Sequence, residues 1–543
     1  MKRWISSVVG TIIFSVVLGW SADAHERTRT QSAPLIVTTT ADTGIGSLRW
    51  AITQANALIG PDSILFAIGP GDPGYSVSTG TWTISPVAPF PSISDGGLTI
   101  DGTSQARAVG GDPNPLGPEI EISGERLSPD NGLKIVAEGT QVSGLTINRC
   151  RYAGISFTGA KGGQVFGCYL GTTSTGERTV GNESGIHIGQ GSRDIVIGEL
   201  TDSTRGNLIS GNHVGVFVQD LCVNISIIGN RIGTNRTGTD TLGNENQGIC
   251  IQEGCDSTTV LNNLVGGNTD GIYCAGATHS FVSNNSVGTN DAWTINLANR
   301  SYGIQLTGSS QNNLVLANTV GNNMRAGIIA FGQLCFRNRL SQNRISRNQE
   351  TGIENALGGN IELLPPVILT VTFSSISGLA APGNVVEVFA DDSLQGMSFC
   401  GSTTAESTGA FTLLLSGPVT RRYVTGTATD AEGNTSEFSA GYLVTSADGM
   451  TEDAAPVAYC LSQNYPNPFN PTTTIRYALP ERSYVTLTVF SPLGQRVATL
   501  VDGERVAGYH CVNFDASGLA SGVYLYRLTA GSFVETRKLV LVQ

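Results

Sequence analysis

Charge is scarce in this sequence. Lys, Arg, Asp and Glu make up 14% of its 543 residues, against a usual ~25%, which excludes long charged helices and coiled coils. Histidine is nearly absent, with five residues in all, so no metal centre built from imidazoles and no cofactor is expected. Positive charge is also short: the formal net charge is −12 and the pI is near 5.0, which gives nucleic acid no electrostatic footing as a partner. Beyond the first residues no run of about 18 apolar residues occurs, so the mature chain should have no transmembrane helix. Glycine, by contrast, is abundant, at 69 residues, about one in eight against a usual ~7%. Hydrophobic residues at 40% exclude wholesale disorder, and glycine has no third-residue period, which excludes collagen. The length suits three to five folded units, β-rich and turn-rich.

The chain begins with Lys2 and Arg3, an apolar run from Ile5 to Trp20, and Ala22-Asp23-Ala24. This is the pattern of a signal peptide over 1–24, with the mature chain starting near His25. Export makes the ten cysteines candidates for disulfides.

A short phrase recurs along the middle of the chain: Gly154-Ile155, Gly185-Ile186, Gly215-Val216, Gly248-Ile249, Gly271-Ile272, Gly303-Ile304, Gly327-Ile328 and Gly352-Ile353. Its spacing of 23 to 33 residues is a solenoid period. Each unit holds about three alternating apolar runs joined by Gly and Asn turns, as in ISIIGNRIGTN over 225–235. Such runs read as strands, with no crossover helices. The prediction is a parallel β-helix with eight coils countable and three more upstream, on the order of 50 Å long at ~4.8 Å per coil.

Asn230, Asn263, Asn285, Asn318 and Asn343 fall at one equivalent corner, and Asn212, Asn235, Asn268, Asn290, Asn323 and Asn348 at another. Asn tolerates the left-handed backbone of a sharp corner and bonds its neighbours above and below, so these are expected to be structural ladders. Inserts over 172–183, 234–245 and 289–300 leave one corner. They read either as polar caps or as a binding rim on which Trp293 is the candidate residue. The rod needs lids. Over 41–57, Ser47 is placed to cap a helix whose Leu48, Ala51, Ile52 and Ala55 share one face. At the far end, the pattern changes at 364–371.

The phrase Asp-x-Gly-x-Gly-Ser-Leu-Arg-x-Ala-Ile, Asp42 to Ile52, with the coil sequence over 232–251, resembles the secreted bacterial right-handed β-helix repeat proteins. Their fold is shared with pectin-lyase-like enzymes. Residues 366–443 resemble bacterial Ig-like modules. The segments NYPNPFNPTTTIRYALP, 464–480, and FDASGLASGVYLYRLTAGSFVETRKLVLV, 514–542, resemble the C-terminal sorting domain of type IX secretion. That resemblance implies handling by the type IX machinery and delivery to the surface, or beyond it, of a Gram-negative bacterium.

Enzymes of the resembled fold need clustered carboxylates. Asn268-Thr269-Asp270-Gly271 resembles the first motif of polygalacturonases, but the companion Asp-Asp, Gly-His-Gly and Arg-Ile-Lys elements do not follow it, so no catalytic residue is assigned. The outward positions of the Gly-Ile strand are Ser156, His187, Phe217, Cys250, Tyr273, Gln305, Ile329 and Glu354. Phe217 and Tyr273, with His187, make this stripe the preferred glycan-binding face, the alternative being that loops or inserts cover it. Arg325, Arg337, Arg339, Arg344 and Arg347 read as solvated surface or as a site for an anionic glycan. Asp391, Asp392, Asp430 and Glu432 would suit Ca²⁺ if their loops meet. Cys222 and Cys255 each lie seven residues after a coil glycine, which predicts an inter-coil disulfide, the alternative being two buried thiols that fill the coil interior. Cys460 and Cys511 are a second, weaker pair.

The resulting fold class is all-β: a right-handed parallel β-helix, an Ig-like β-sandwich and a small C-terminal β-sandwich sorting domain. The expected divisions are a signal peptide (1–24), an N-terminal capping segment with the first coils (36–100), the β-helix (101–362), the Ig-like sandwich (363–445), a linker (446–459) and the sorting domain (460–543). The functional expectation is an exported, adhesin-like protein that binds glycans or surfaces without catalysis. A polysaccharide lyase or glycoside hydrolase, and a structural envelope spacer, stand as alternatives.

Overall fold

The computed structural model describes residues 33–542 except 59, 200–204, 416, 445–458 and 465. The signal-peptide segment and nearly all of the expected linker lie outside the described residues.

Three parallel sheets of 11, 9 and 11 strands wind as one right-handed β-helix. The first sheet runs from Leu35–Val37 to Arg339–Ser341, the second from Leu133–Ile135 to Ile353–Ala356, and the third from Tyr75–Ser76 to Arg344–Ser346. One exception to parallel pairing is the antiparallel contact of Tyr75–Ser76 with Thr81–Ile84. Eleven coils, as the repeat implies, follow from the alternation itself, because every second side chain points inward and stacks on its equivalent. In the second sheet Ile155, Ile186, Val216, Ile249, Ile272, Ile304, Ile328 and Ile353 are in register, all buried in one continuous core.

The glycine of the repeat is required by close approach rather than by backbone sign. A Cβ on Gly271 would meet the Gly303 carbonyl at 2.5 Å and the Asn299 amide at 3.0 Å. That amide belongs to a buried ladder, Asn182-Asn212-Asn244-Asn268-Asn299-Asn323-Asn348, in which each Nδ2 donates to the next Oδ1 at 2.8–3.2 Å. A second ladder runs Asn207-Asn230-Asn263-Asn285-Asn318-Asn343. Asn235 and Asn290 are not rungs, contrary to the sequence reading. They sit inside inserts, where their side chains accept from Thr239 and Thr294 backbone N–H groups, and Asn244 and Asn299 take the rung positions once the chain returns to its corner.

Both ends are covered. Helix Leu48–Ala57 is capped by Ser47 as expected, and buries Leu48, Ala51, Ile52 and Ala55 on the first coils. Arg49 ties this segment together by pairing with Asp42 at 2.6 Å. At the other end an antiparallel sandwich of three and four strands, Val367–Val371 to Tyr442–Leu443, supplies acceptors to the last coil's N–H groups. Thr435 Oγ1 accepts from Leu340 N (3.0 Å), Glu387 from Gln342 N (2.7 Å) and Asn434 from Arg337 N (2.6 Å). Gln395 accepts from Asn348 N (2.9 Å) and Glu437 from Asn355 N (2.9 Å). Gln395 also accepts from Asn348 Nδ2 at 3.1 Å, so it extends the asparagine ladder by one rung.

The C-terminal sandwich has its own core around Leu487, Tyr526 and Leu539. Its proline-rich motif is pinned by Asn464, whose N–H donates to Tyr526 Oη, and by Phe469, which exchanges backbone bonds with Val540 and Val542.

Candidate functional site

The outward stripe of the second sheet is formed as the repeat predicts: Ser156, His187, Phe217, Cys250, Tyr273, Gln305, Ile329 and Glu354 are register partners in turn, and the structure adds Lys134 before Ser156. Its N-terminal half is the floor of a groove of about 530 Å³. Asn131, Tyr152, Glu183, Gln190, Asn246 and Gln252 stand among its walls. His187 is half-buried at the centre. Gln219 Nε2 donates to His187 Nε2 at 3.2 Å, which leaves the Nδ1 hydrogen facing Ser156 Oγ at 3.3 Å. Burial pulls the His187 pKa below the ordinary imidazole value, against the opposing pull of Asp220. A neutral, fixed ring therefore lies 5.7 Å from the half-buried ring of Phe217.

Tyr273 continues the stripe on the coil beyond Cys250, outside the groove walls. Farther on, the stripe is closed: Ile329 packs with Tyr302 and Ala326, and the Arg325 guanidinium lies 4.5 Å over the Tyr302 ring.

Trp293 differs from the expectation of an open rim residue. It is 8% exposed, with the Arg344 and Arg347 guanidinium groups each 5.9 Å from its ring. The inserts fold down as small hairpins, bridged at Thr172 and Thr179, Thr234 and Thr241, and Thr289 and Asn296. They lie on the third sheet, Gly176 against Leu208 and Gly238 against Leu264. The polar-cap reading of the inserts is the one the structure supports, and the second sheet is left open.

The polygalacturonase-like phrase has a structural use. Asn268 is a ladder rung, and Asp270, 8% exposed, accepts from Tyr302 N at 3.3 Å. Asp291 is engaged elsewhere, by Thr319 and Arg344. The basic group is likewise divided: Arg325 pairs with Glu350, Arg337 with Glu432 and Arg344 with Asp291. The four carboxylates considered for Ca²⁺ do not share one task. Asp391 and Asp430 accept from their own loops, Asp392 pairs with Arg421, and Glu432 with Arg337.

Cys222 and Cys255 are buried thiols at matching positions on adjacent coils, and the Cys222 thiol donates to the Gln219 carbonyl at 3.0 Å. Cys460 and Cys511 lie on opposite sides of strand Thr472–Leu479, against Ala478 and Arg476 respectively. Two strand spacings, about 9.6 Å, are beyond the reach of a disulfide, so that expected pair is corrected.

The sequence reading does not reach the groove walls. Gln252 follows its coil glycine by four residues, as does Gln219, the partner of His187, a repeat-aligned polar position that points to both; Lys134 and Tyr152 carry no such signal. No described helix is long and apolar enough to cross a membrane.

Two family models match. Residues 463–543 match the secretion system C-terminal sorting domain, and residues 119–363 match the periplasmic copper-binding protein (NosD) family. No curated protein matches the sequence. Among solved structures, the periplasmic alginate epimerase AlgG is 16% identical, over 52% of this chain and 66% of that one, with a TM-score of 0.33. This chain therefore spans just under two thirds of the AlgG chain. The A-module of the Azotobacter vinelandii mannuronan C-5 epimerase AlgE6 is 13% identical over 59% and 77%, with a TM-score of 0.35. Pectate lyase Pel9A is 12% identical over 60% and 77%, with a TM-score of 0.28. Residues 463–543 are thus similar to the secretion system C-terminal sorting domain and residues 119–363 to the NosD family, and the sorting domain marks the chain as secreted or cell-surface.

Proposed function

We propose that this rod, carried out by the type IX machinery of a Gram-negative bacterium, is an adhesin-like protein that binds a glycan chain in the groove of the second sheet without transforming it. The observation that carries this reading is the half-buried ring of Phe217 beside the neutral His187, on the floor of a groove walled by Asn131, Gln190, Asn246 and Gln252. An aromatic face takes the C–H face of a sugar ring, and side-chain amides both donate to and accept from hydroxyls. Tyr273 offers a further ring to a chain that continues along the rod.

A polysaccharide-modifying enzyme is the second reading, favoured by Lys134, Tyr152 and His187 lining the same groove, since all three are groups that move protons. Hydrolysis is disfavoured because Glu183 is the single carboxylate among the lining residues, where the two-carboxylate mechanism needs a pair. For copper, part of the matched family's name, no site of three or more ligands is present: among the described residues no three His, Cys, Asp or Glu converge on one point.

The test is to incubate the exported protein with a panel of acidic and neutral polysaccharides, following retention together with new reducing or unsaturated ends. Retention without product, weakened at least tenfold in Phe217→Ala, is expected. Product that disappears in His187→Ala would establish the enzyme instead, and retention of no glycan would leave the rod as a spacer.

A further inference from the structure

Seven cysteines are buried within the rod, at positions 150, 168, 222, 250, 255, 274 and 335. Cys222 and Cys255 are distinguished by occupying the same place on adjacent coils, each one residue before a member of the bridged pair Val223 and Asp256. That placement is a product of the repeat. Each residue lies seven positions after its coil glycine, Gly215 or Gly248. The residues that follow, Val223 and Asp256, are bridged in parallel, and Asp256 N donates to the Cys222 carbonyl at 2.9 Å. Neighbouring coils stand ~4.8 Å apart, inside the roughly 4.4–6.8 Å Cα separation of a disulfide. The Cys222 thiol now donates to the Gln219 carbonyl at 3.0 Å, a bond that turning the sulfur toward Cys255 would give up.

We propose that the exported chain closes a Cys222–Cys255 disulfide, an inter-coil staple at the corner that follows the groove. The sorting domain takes the chain out of the reducing cytosol. In the step, the two thiols lose two protons and two electrons and the Sγ–Sγ bond forms. The electrons pass by thiol–disulfide exchange to the disulfide of a thiol oxidase outside the cytosol, which becomes a dithiol. The staple holds in fixed spacing the two coils that present Gln219, the partner of His187, and Gln252, a groove wall. This inference rests on the coil geometry and export, not on what the groove binds.

The experiment is peptide mapping of the full exported protein, alkylated while denatured and without reductant. The expected result is one linked peptide pair carrying Cys222 and Cys255, lighter by two hydrogens than the free thiols, with the other five buried cysteines alkylated. Reductant should also lower the urea midpoint of the wild-type protein and leave that of Cys222→Ala/Cys255→Ala unmoved. Alkylation of both residues without reductant, or linkage of Cys255 to Cys250 or Cys274, would overturn the proposal. The wild-type map decides the matter even if the double variant folds poorly.

Discussion

The two ends of the rod are closed by different physics. At the N-terminus an amphipathic helix lays Leu48, Ala51, Ile52 and Ala55 over the core, so the lid works by removing apolar surface from water. At the C-terminus the sandwich meets the last coil with polar side chains, Thr435, Glu387, Asn434, Gln395 and Glu437, each accepting from a backbone N–H that has no further coil to bond. Those N–H groups are a strand edge, a template for pairing with another chain. An apolar cap hides the cross-section, whereas occupying the donors prevents edge-to-edge growth.

The largest effect expected from breaking this comparison is at the apolar lid. Ile52→Asp places a carboxylate at a fully buried position and should cost about 4 kcal/mol, read as loss of the cooperative urea transition of the first coils. At the polar lid, Glu387→Ala removes the acceptor for Gln342 N and Ser341 Oγ and should cost roughly 1–3 kcal/mol, with faster hydrogen exchange confined to Arg339–Ser341 and its neighbours. Smaller again is a pH effect. Burial raises the Glu387 pKa, against hydrogen bonds from Ser341 and Gln342 and the Arg339 charge. The unfolded carboxyl ionises at its ordinary value and the docked one above it, so stability is greatest below the ordinary value and falls as pH rises through the raised one. Urea midpoints across that range should decline in wild type more than in Glu387→Gln. The smallest effect belongs to Arg337→Ala, which removes an exposed ion pair with Glu432 and should change stability by at most about 1 kcal/mol.

The contrast also separates what the residues disclosed from what they hid. The helix lid, the coil count and the outward stripe are local: a 3.6-residue or 2-residue period at known positions places each side chain. The polar lid is not local, because Gln395 and Asn348 are 47 residues apart and nothing in either segment marks the other. Sequence spacing points to Asn235 and Asn290 rather than Asn244 and Asn299 because an insert separates spacing from coil position. Trp293 reads as a rim residue because it lies in an insert, while its burial depends on Arg344 and Arg347 from coils stacked later. The groove's centre, His187 and Phe217, was legible from the repeat; its walls come from turns whose direction only the folded coils define.

The most direct measurement of the account is hydrogen exchange of the exported protein with and without a retained glycan. Protection should rise in the strands Ala153–Thr158, Ser184–Gly189, Val214–Val218 and Ile249–Ile251, which carry the groove floor, and should not rise in Phe217→Ala. Protection appearing instead on the insert hairpins over 172–183 and 234–245, with the second sheet unchanged, would contradict it.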